Sequence, residues 1–359
     1  MEHNSPIRLF VSQAWRRDTL QHSPLMYPFW GNPPMSKMPF QHALFARHSF
    51  NTNHYRITEN PTETDVVFLP YPHAIALRFA PELIAQCAAQ AAKLKVPLLI
   101  DGIGDIEHPI STPHTLILRY GGYHFLRKNN EIIVPPFADD LLEIFYKGIV
   151  QLRQKNEKPI IGFAGWTSLT PRQATRAMLK ELPDRLRGIY DDRYRACKKG
   201  VFFRRRAVKI LEASPLIQAN FLKRQSYSGH TDTASKSPEE LRKEFVDNLL
   251  ASDYGLDIRG DSNASTRLFE MLSLGCVPII VDTERNFPFS DVLDYGSFSY
   301  RVDFRQMHRL PELISQFHAA LAQEQFSDMQ KNARGAYVNY FRVDALMSHI
   351  AREIRQRLQ

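Results

Sequence analysis

Residues Asp257 to Asp282 read DIRGDSNASTRLFEMLSLGCVPIIVD. The spacing predicts three elements in direct succession: a short strand ending near Arg259, a helix over Ser262 to Leu274, and a strand over Val277 to Val281. Asp261 or Ser262 is a natural N-cap, since a short side-chain oxygen accepts from the free N–H groups of the first turn. Ala264, Leu268, Met271 and Leu272 recur at helical spacing and would face a sheet. Gly275 stops the helix where the backbone must turn left-handed. Pro278 stands near the start of the next strand, where a missing N–H costs least.

A strand end feeding a helix N-terminus presents unpaired N–H groups and the positive end of the helix dipole. That is an anion pocket, and open α/β sheets bind ligands at the carboxyl ends of their strands. Arg259 and Arg267 would add full charge, and a diphosphate fits such a place. The carboxylate of Glu270, on the same helix, would accept from ribose hydroxyls. The candidate donor-binding residues here are Arg259, Gly260, Ser262, Asn263, Ser265, Thr266, Arg267 and Glu270. The same residues also fit an ordinary βαβ unit with surface arginines.

The stretch RGDSNASTRLFEMLSLGCVPIIV, followed by Phe287-Pro288-Phe289, Val292-Leu293-Asp294-Tyr295 and Phe298 to Val302, resembles the signature block of the exostosin family of glycosyltransferases. Ile258 stands where that family has Pro before Arg-Gly, and Tyr295 where it has Trp. Thr64 to Pro72 (TDVVFLPYP) and Glu131 to Pro136 (EIIVPP) resemble two further family segments. The resemblance implies an α/β protein of GT-B type, with two facing Rossmann-like domains, parallel sheets and a C-terminal crossing helix. It implies an inverting transfer from a UDP-sugar, with a GDP-sugar as the alternative, to a glycan or lipid-linked acceptor. The second domain would hold the donor and the first the acceptor. No metal or other cofactor is expected, because helix dipole and arginine replace the cation in this fold. Family members of animals and plants are membrane-anchored, whereas here Met1 to Pro6 is polar and no apolar leader follows. The expectation is a bacterial-type cytoplasmic enzyme, peripheral at the inner membrane face.

Composition agrees with a globular protein of two domains: 359 residues, 43% hydrophobic, with a formal net charge of +8. The basic balance favours acidic partners: nucleotide sugars, anionic membrane surfaces or nucleic acid. Cys87, Cys197 and Cys276 are scattered, which suits reduced thiols and excludes a zinc cluster of Cys-x-x-Cys type. No apolar run reaches the length of a membrane span.

Along the chain, Ile7 to Ser12, Thr64 to Pro72, Val96 to Asp101 and Thr115 to Leu118 read as strands, and Ala80 to Leu94 as a helix. Strands alternating with helices imply a parallel sheet. Gln21 to Pro39 reads as a Pro-rich loop with aromatic anchors. The domains are expected at 1–150, 151–340 and a last helix over 341–359 that crosses back to the first domain. Pro159 to Gly165 is a strand running into a glycine turn, and Thr170-Pro171 starts a helix. Gly165 thus joins the donor candidates, and the family's FxG segment adds Arg172; Arg176 reads as a solvated helix residue. Arg193 to Lys209 is a basic run with Phe202 and Phe203 interleaved. It suits nucleic acid, an anionic bilayer, a lipid-linked pyrophosphate acceptor or a plain solvated face.

Single displacement needs a base near the acceptor hydroxyl. The candidates at strand ends of the first domain are His73, Asp101 and Asp105, and burial of Asp101 at the end of an apolar strand would raise its pKa. Two other functions fit the residues: a sugar-binding protein without turnover, and a basic nucleic-acid-binding protein. Against the second, no recognisable nucleic-acid-reading motif occurs, so no specific nucleic acid partner is expected.

Overall fold

A computed structural model describes residues 5–31, 39–104, 109–224, 237–260 and 262–359. Asp105, Asp261 and residues 225–236 of the polar loop lie outside the described residues. The first half builds a six-stranded sheet from β1 (Ile7–Phe10), β2 (Tyr55–Thr58), β3 (Val66–Phe68), β4 (Leu98–Asp101), β5 (Thr115–Tyr120) and β6 (Glu131–Val134), in the order β2-β1-β3-β4-β5-β6. The second half builds a five-stranded sheet from β7 (Ile160–Trp166), β8 (Gln218–Arg224), β9 (Tyr254–Asp257), β10 (Val277–Asp282) and β11 (Tyr300–Asp303), in the order β11-β10-β9-β7-β8. Every pairing is parallel. Read from the β8 edge, the second sheet repeats the order of the first. Each reverses direction after its first strand, so each has a switch point, between β1 and β3 and between β7 and β9.

The organising stretch folds as strand, helix, strand, with one correction. Its helix is Thr266–Ser273, with Ser265 at the N-cap, and does not begin at Ser262. The preceding turn is drawn away from helical geometry by its own side chains. Asn263 reaches across to other segments, and Ser265 donates to Asp257. At the far end Gly275 takes φ +66°, and the N–H of Cys276 closes on the Met271 carbonyl at 3.0 Å. No strand is named from the sequence at β2, β6, β8 or β11. Both β2 and β8 lie on a sheet edge, and β8 (QANFLKR) is largely solvent-facing, so neither shows an apolar run.

The carboxyl ends of the two sheets meet at a seam. The loop after β5, Gly121 to His124, docks between the loops after β9 and β10. Asn263 Nδ2 donates to the Gly122 carbonyl at 3.1 Å, and Asn286 Nδ2 to the Gly121 carbonyl at 3.1 Å. The His124 N–H donates to the Glu284 carbonyl at 2.7 Å. Gly121 has φ +53°, and a Cβ there would overlap the Asn263 carbonyl. The linker helix Leu141–Tyr146 buries Leu141 and Leu142 in one cluster with Leu249, Met271 and Leu274 of the second domain.

The last helix, Val343–Leu358, follows a π-helical turn at Tyr337–Phe341 and returns to the first domain, as the resemblance implied. Leu346, Met347, Ile350 and Ile354 enter the core that holds β1 and β3 to β6. Arg357 anchors the end of the helix, donating to the carbonyls of Glu131 at 3.1 Å and Asn129 at 3.2 Å. Two facing parallel α/β domains with a crossing C-terminal helix make the arrangement called GT-B. Among the described residues no helix is long and apolar enough to cross a membrane.

Candidate active site

The switch point of the second sheet lies between the ends of β7 and β9, the place where such sheets hold a ligand crevice. β7 ends at Gly165-Trp166, and β9 is followed by Ile258, Arg259 and Gly260. The helix Gly200–Glu212 points its N-terminus at the same place, so closely that a Cβ on Gly200 would overlap the carbonyl oxygens of Gly260 and Arg259. Two helix N-termini, those at Gly200 and Thr266, therefore lie beside one strand end, each adding partial positive charge.

Cationic side chains line this crevice. Arg259 is only 2% exposed; its Nη2 donates to the carbonyls of Ala196, at 3.1 Å, and Lys198, and Tyr123 lies under its guanidinium at 5.4 Å. Arg204 Nε donates to the Ile258 carbonyl at 3.2 Å. Lys199 Nζ sits over the Trp166 ring at 5.5 Å. Arg267 lies across the Phe163 ring at 4.6 Å and donates to the Ala164 carbonyl at 2.9 Å. It fits there because Gly165 has no side chain to meet its guanidinium.

No carboxylate pairs with Arg259 among the described residues. Asp257, two residues earlier, is buried and engaged elsewhere: it accepts from Arg285 at 2.6 Å and from Ser265. Burial pushes the neighbouring Cys197 thiol up to about 11, so it stays neutral and offers no counter-charge. Lys198 has its pKa lowered, by burial first and then by Arg185, Arg195 and Arg206 around it, against the raising effect of Glu181. A buried guanidinium satisfied only by carbonyls is a cation placed to receive an anion.

The sequence candidates separate on this frame. Arg259, Gly260, Arg267 and Gly165 meet at the crevice, with Ser262 half-buried and Thr266 exposed beside it. Asn263 and Ser265 instead hold the junction together: Asn263 bonds Gly122, and both donates to and accepts from Thr283, while Ser265 bonds Asp257. Glu270 faces Arg242 at 3.3 Å, which also donates to Asp139 at 2.9 Å. Arg172 is exposed on the helix Pro171–Lys180, whose start is fixed by a capping box between Thr170 and Gln173.

In the first domain, Asp101 is fully buried. Its carboxylate accepts from Ser23 Oγ at 2.6 Å and from the Ile103 N–H at 3.1 Å. Burial pushes its pKa up, against the lowering effect of those two donors. It lines a small cavity walled by Phe50, Leu118, Val134, Phe137 and Ile350, so it looks into the core. His73 is buried at the first turn of the helix His73–Phe79. Asp105 lies outside the described residues.

Sequence reasoning did not single out Lys198, Lys199, Arg204, Trp166 or Tyr123. The first three belong to the basic run Arg193 to Lys209, but which of its charges turn inward depends on how the Gly200 helix packs. His48, Asp140 and Glu143 come close enough to hold a cation. Asp140, however, already accepts from Arg334 at 2.7 and 2.9 Å, which neutralises the carboxylate a cation would need most.

Residues 192–317 match the Exostosin GT47 domain, a span holding Lys198, Arg204, the β9 junction and β10 to β11. That part of the chain is similar to the exostosin family. The chain is 29% identical over 129 residues to the Exostosin-1 homolog of Caenorhabditis elegans, covering 35% of this chain and 33% of that protein. To the probable arabinosyltransferase ARAD1 of Arabidopsis thaliana it is 26% identical over 121 residues, 33% of this chain and 27% of the relative. The exostosin-like part thus spans about a third of the length of these relatives. A crystal structure of Anabaena Alr3699/HepE in complex with UDP-glucose aligns over 98% of both chains, at 10% identity and a TM-score of 0.36.

Proposed function

We propose that this exostosin-like chain is an inverting glycosyltransferase that uses a nucleoside-diphosphate sugar, UDP-linked in preference to GDP-linked, and transfers the sugar to a hydroxyl of a glycan or lipid-linked acceptor. The observation that carries the reading is Arg259: a buried cation without a carboxylate partner among the described residues, at a sheet switch point between two helix N-termini. The names of the relatives, an arabinosyltransferase among them, point to the same chemistry.

In the proposed reaction the acceptor hydroxyl gives its proton to a base of the first domain as its oxygen attacks the anomeric carbon. The bond from that carbon to the diphosphate oxygen breaks, and the electron pair leaves with the diphosphate. Stabilising that developing charge is the task of Arg259, Arg267, Lys198, Lys199, Arg204 and the helix N-termini. These fixed cations do what a divalent ion would otherwise do, so activity is expected to survive EDTA. Asp101 is held by Ser23 and Ile103 and tethers the loop after β1, which leaves His73 and Asp105 as the base candidates.

Calorimetry with UDP, UMP and uridine tests the reading. UDP is expected to bind tightest, because each added phosphate meets more of the cationic crevice. Equal affinities, or no binding of any nucleoside diphosphate, would remove the donor-site assignment.

A further inference from the structure

The helices Pro171–Lys180 and Leu182–Tyr190 show their apolar side to solvent. In the first, no residue is buried; in the second, only Gly188 is. Met178 is 47% exposed, Leu179 67%, Leu182 50%, Leu186 54%, Ile189 68% and Tyr190 94%. Leu182, Leu186 and Ile189 repeat at the i, i+4, i+7 spacing of one helical face. A surface helix ordinarily turns that face inward. This one is held by its polar side instead: Arg195 Nε donates to the Gly188 carbonyl at 3.0 Å, and Glu181 Oε1 accepts from the Lys199 N–H at 2.6 Å. Single exposed leucines are common, but a contiguous patch of this kind marks a contact surface.

The charges around the patch say what it contacts. Arg172, Arg176 and Lys180 are exposed on a helix that contains no acid. Arg187 is exposed beside Leu186, and its pair with Asp184 at 3.2 Å lies in solvent, where such pairs are weak. Apolar side chains interleaved with arginine and lysine, ending in an exposed tyrosine, have the make-up of a face that lies in the headgroup layer of an anionic bilayer.

We propose that this two-helix face docks the protein on an anionic lipid surface. Glu181 begins this second helix and bonds the backbone of Lys199, so docking would hold the cationic crevice close to the membrane plane. The transferred sugar would then go to an acceptor presented by the lipid, which deepens the glycosyltransferase reading and rests on it.

The test is co-sedimentation of the full chain with vesicles of phosphatidylcholine alone and of phosphatidylcholine with about 30% phosphatidylglycerol. The expected result is binding to the anionic vesicles at least about tenfold tighter, weakening as salt screens the cations. Leu186→Glu with Ile189→Glu should abolish it, while Val292→Glu, at an exposed apolar residue elsewhere, should not. UDP calorimetry on the same variants should match the wild type. Absent or charge-indifferent vesicle binding, or a double variant that binds like the wild type, would overturn the proposal. So would a wild-type dimer that the double variant dissolves, since the face would then belong to a second copy. Loss of UDP binding in the wild type would instead strike the donor-site reading.

Discussion

Gly200→Ala probes the closest backbone approach in the candidate site. A Cβ at this position would overlap the carbonyl oxygens of Gly260 and Arg259, with the Arg259 carbonyl carbon at 3.0 Å. All of these are backbone atoms, so no side chain can swing aside. The Gly200–Glu212 helix must retreat by roughly 1 Å to recover van der Waals separation. Two effects oppose each other. Alanine for glycine in a helix gains at most about 1 kcal/mol, whereas overpacking costs about 1–3 kcal/mol. The clash wins, and the expected melting temperature falls by about 2–4 °C per kcal/mol lost for a domain of this size. The displacement also shifts Lys198, Lys199 and Arg204 relative to Arg259. One misplaced charged hydrogen bond costs about 1.5–3 kcal/mol, so UDP affinity should drop roughly tenfold to a hundredfold. Thermal unfolding and UDP calorimetry measure the two effects. Gly335→Ala is the control, because nothing lies within 4 Å of a Cβ there and the same propensity gain should appear alone. If Gly200→Ala melts no lower than wild type and binds UDP unchanged, the helix does not abut the strand end as described.

Arg259→Ala should weaken UDP binding by about 1.5–3 kcal/mol, the range for a hydrogen bond to a charged group; unchanged affinity by calorimetry would show that no phosphate reaches it. Tyr123→Ala, in the other domain, removes the ring beneath that guanidinium and should weaken UDP binding several-fold, while Tyr123→Phe keeps the ring and most of the affinity. Equal losses in both variants would shift the role to the hydroxyl. Asp101→Asn should fold and keep turnover within about tenfold of wild type, since loss of a general base costs about 10²- to 10⁴-fold. Its pH dependence has a definite sign. Burial raises the folded-state pKa of Asp101 above the ordinary carboxylate value, so its contribution to stability is full below that ordinary value and is lost as pH rises through the folded pKa. The Asn variant lacks that loss, and urea unfolding should show it gaining on wild type from pH 4 upward, about where the ordinary carboxylate titrates; parallel profiles would mean Asp101 titrates normally.

The architecture could be read along the chain because its determinants are local. Apolar runs, Pro171 after Thr170, Gly275 after a helical repeat and the amphipathic spacing of Leu346, Ile350 and Ile354 each act over a few residues. They suffice for two parallel sheets, the β9 junction and a last helix with a face to bury. Side-chain partnership is different, because it joins residues far apart in sequence. That Asn263 serves Gly122 and Thr283, that Ser265 turns to Asp257, and that the helix therefore starts at Thr266 follow from packing the two domains together. So does the fate of the basic run Arg193 to Lys209: Arg204 turns toward the end of β9 while Arg205 and Arg206 face water, a division set by how one helix lies on its sheet. Asp101 shows the limit most plainly. Its place at a strand end was legible, but only the fold, by laying Ser23 and the last helix over it, decided that its carboxylate looks into the core, because burial depends on what the rest of the chain puts in front of a residue.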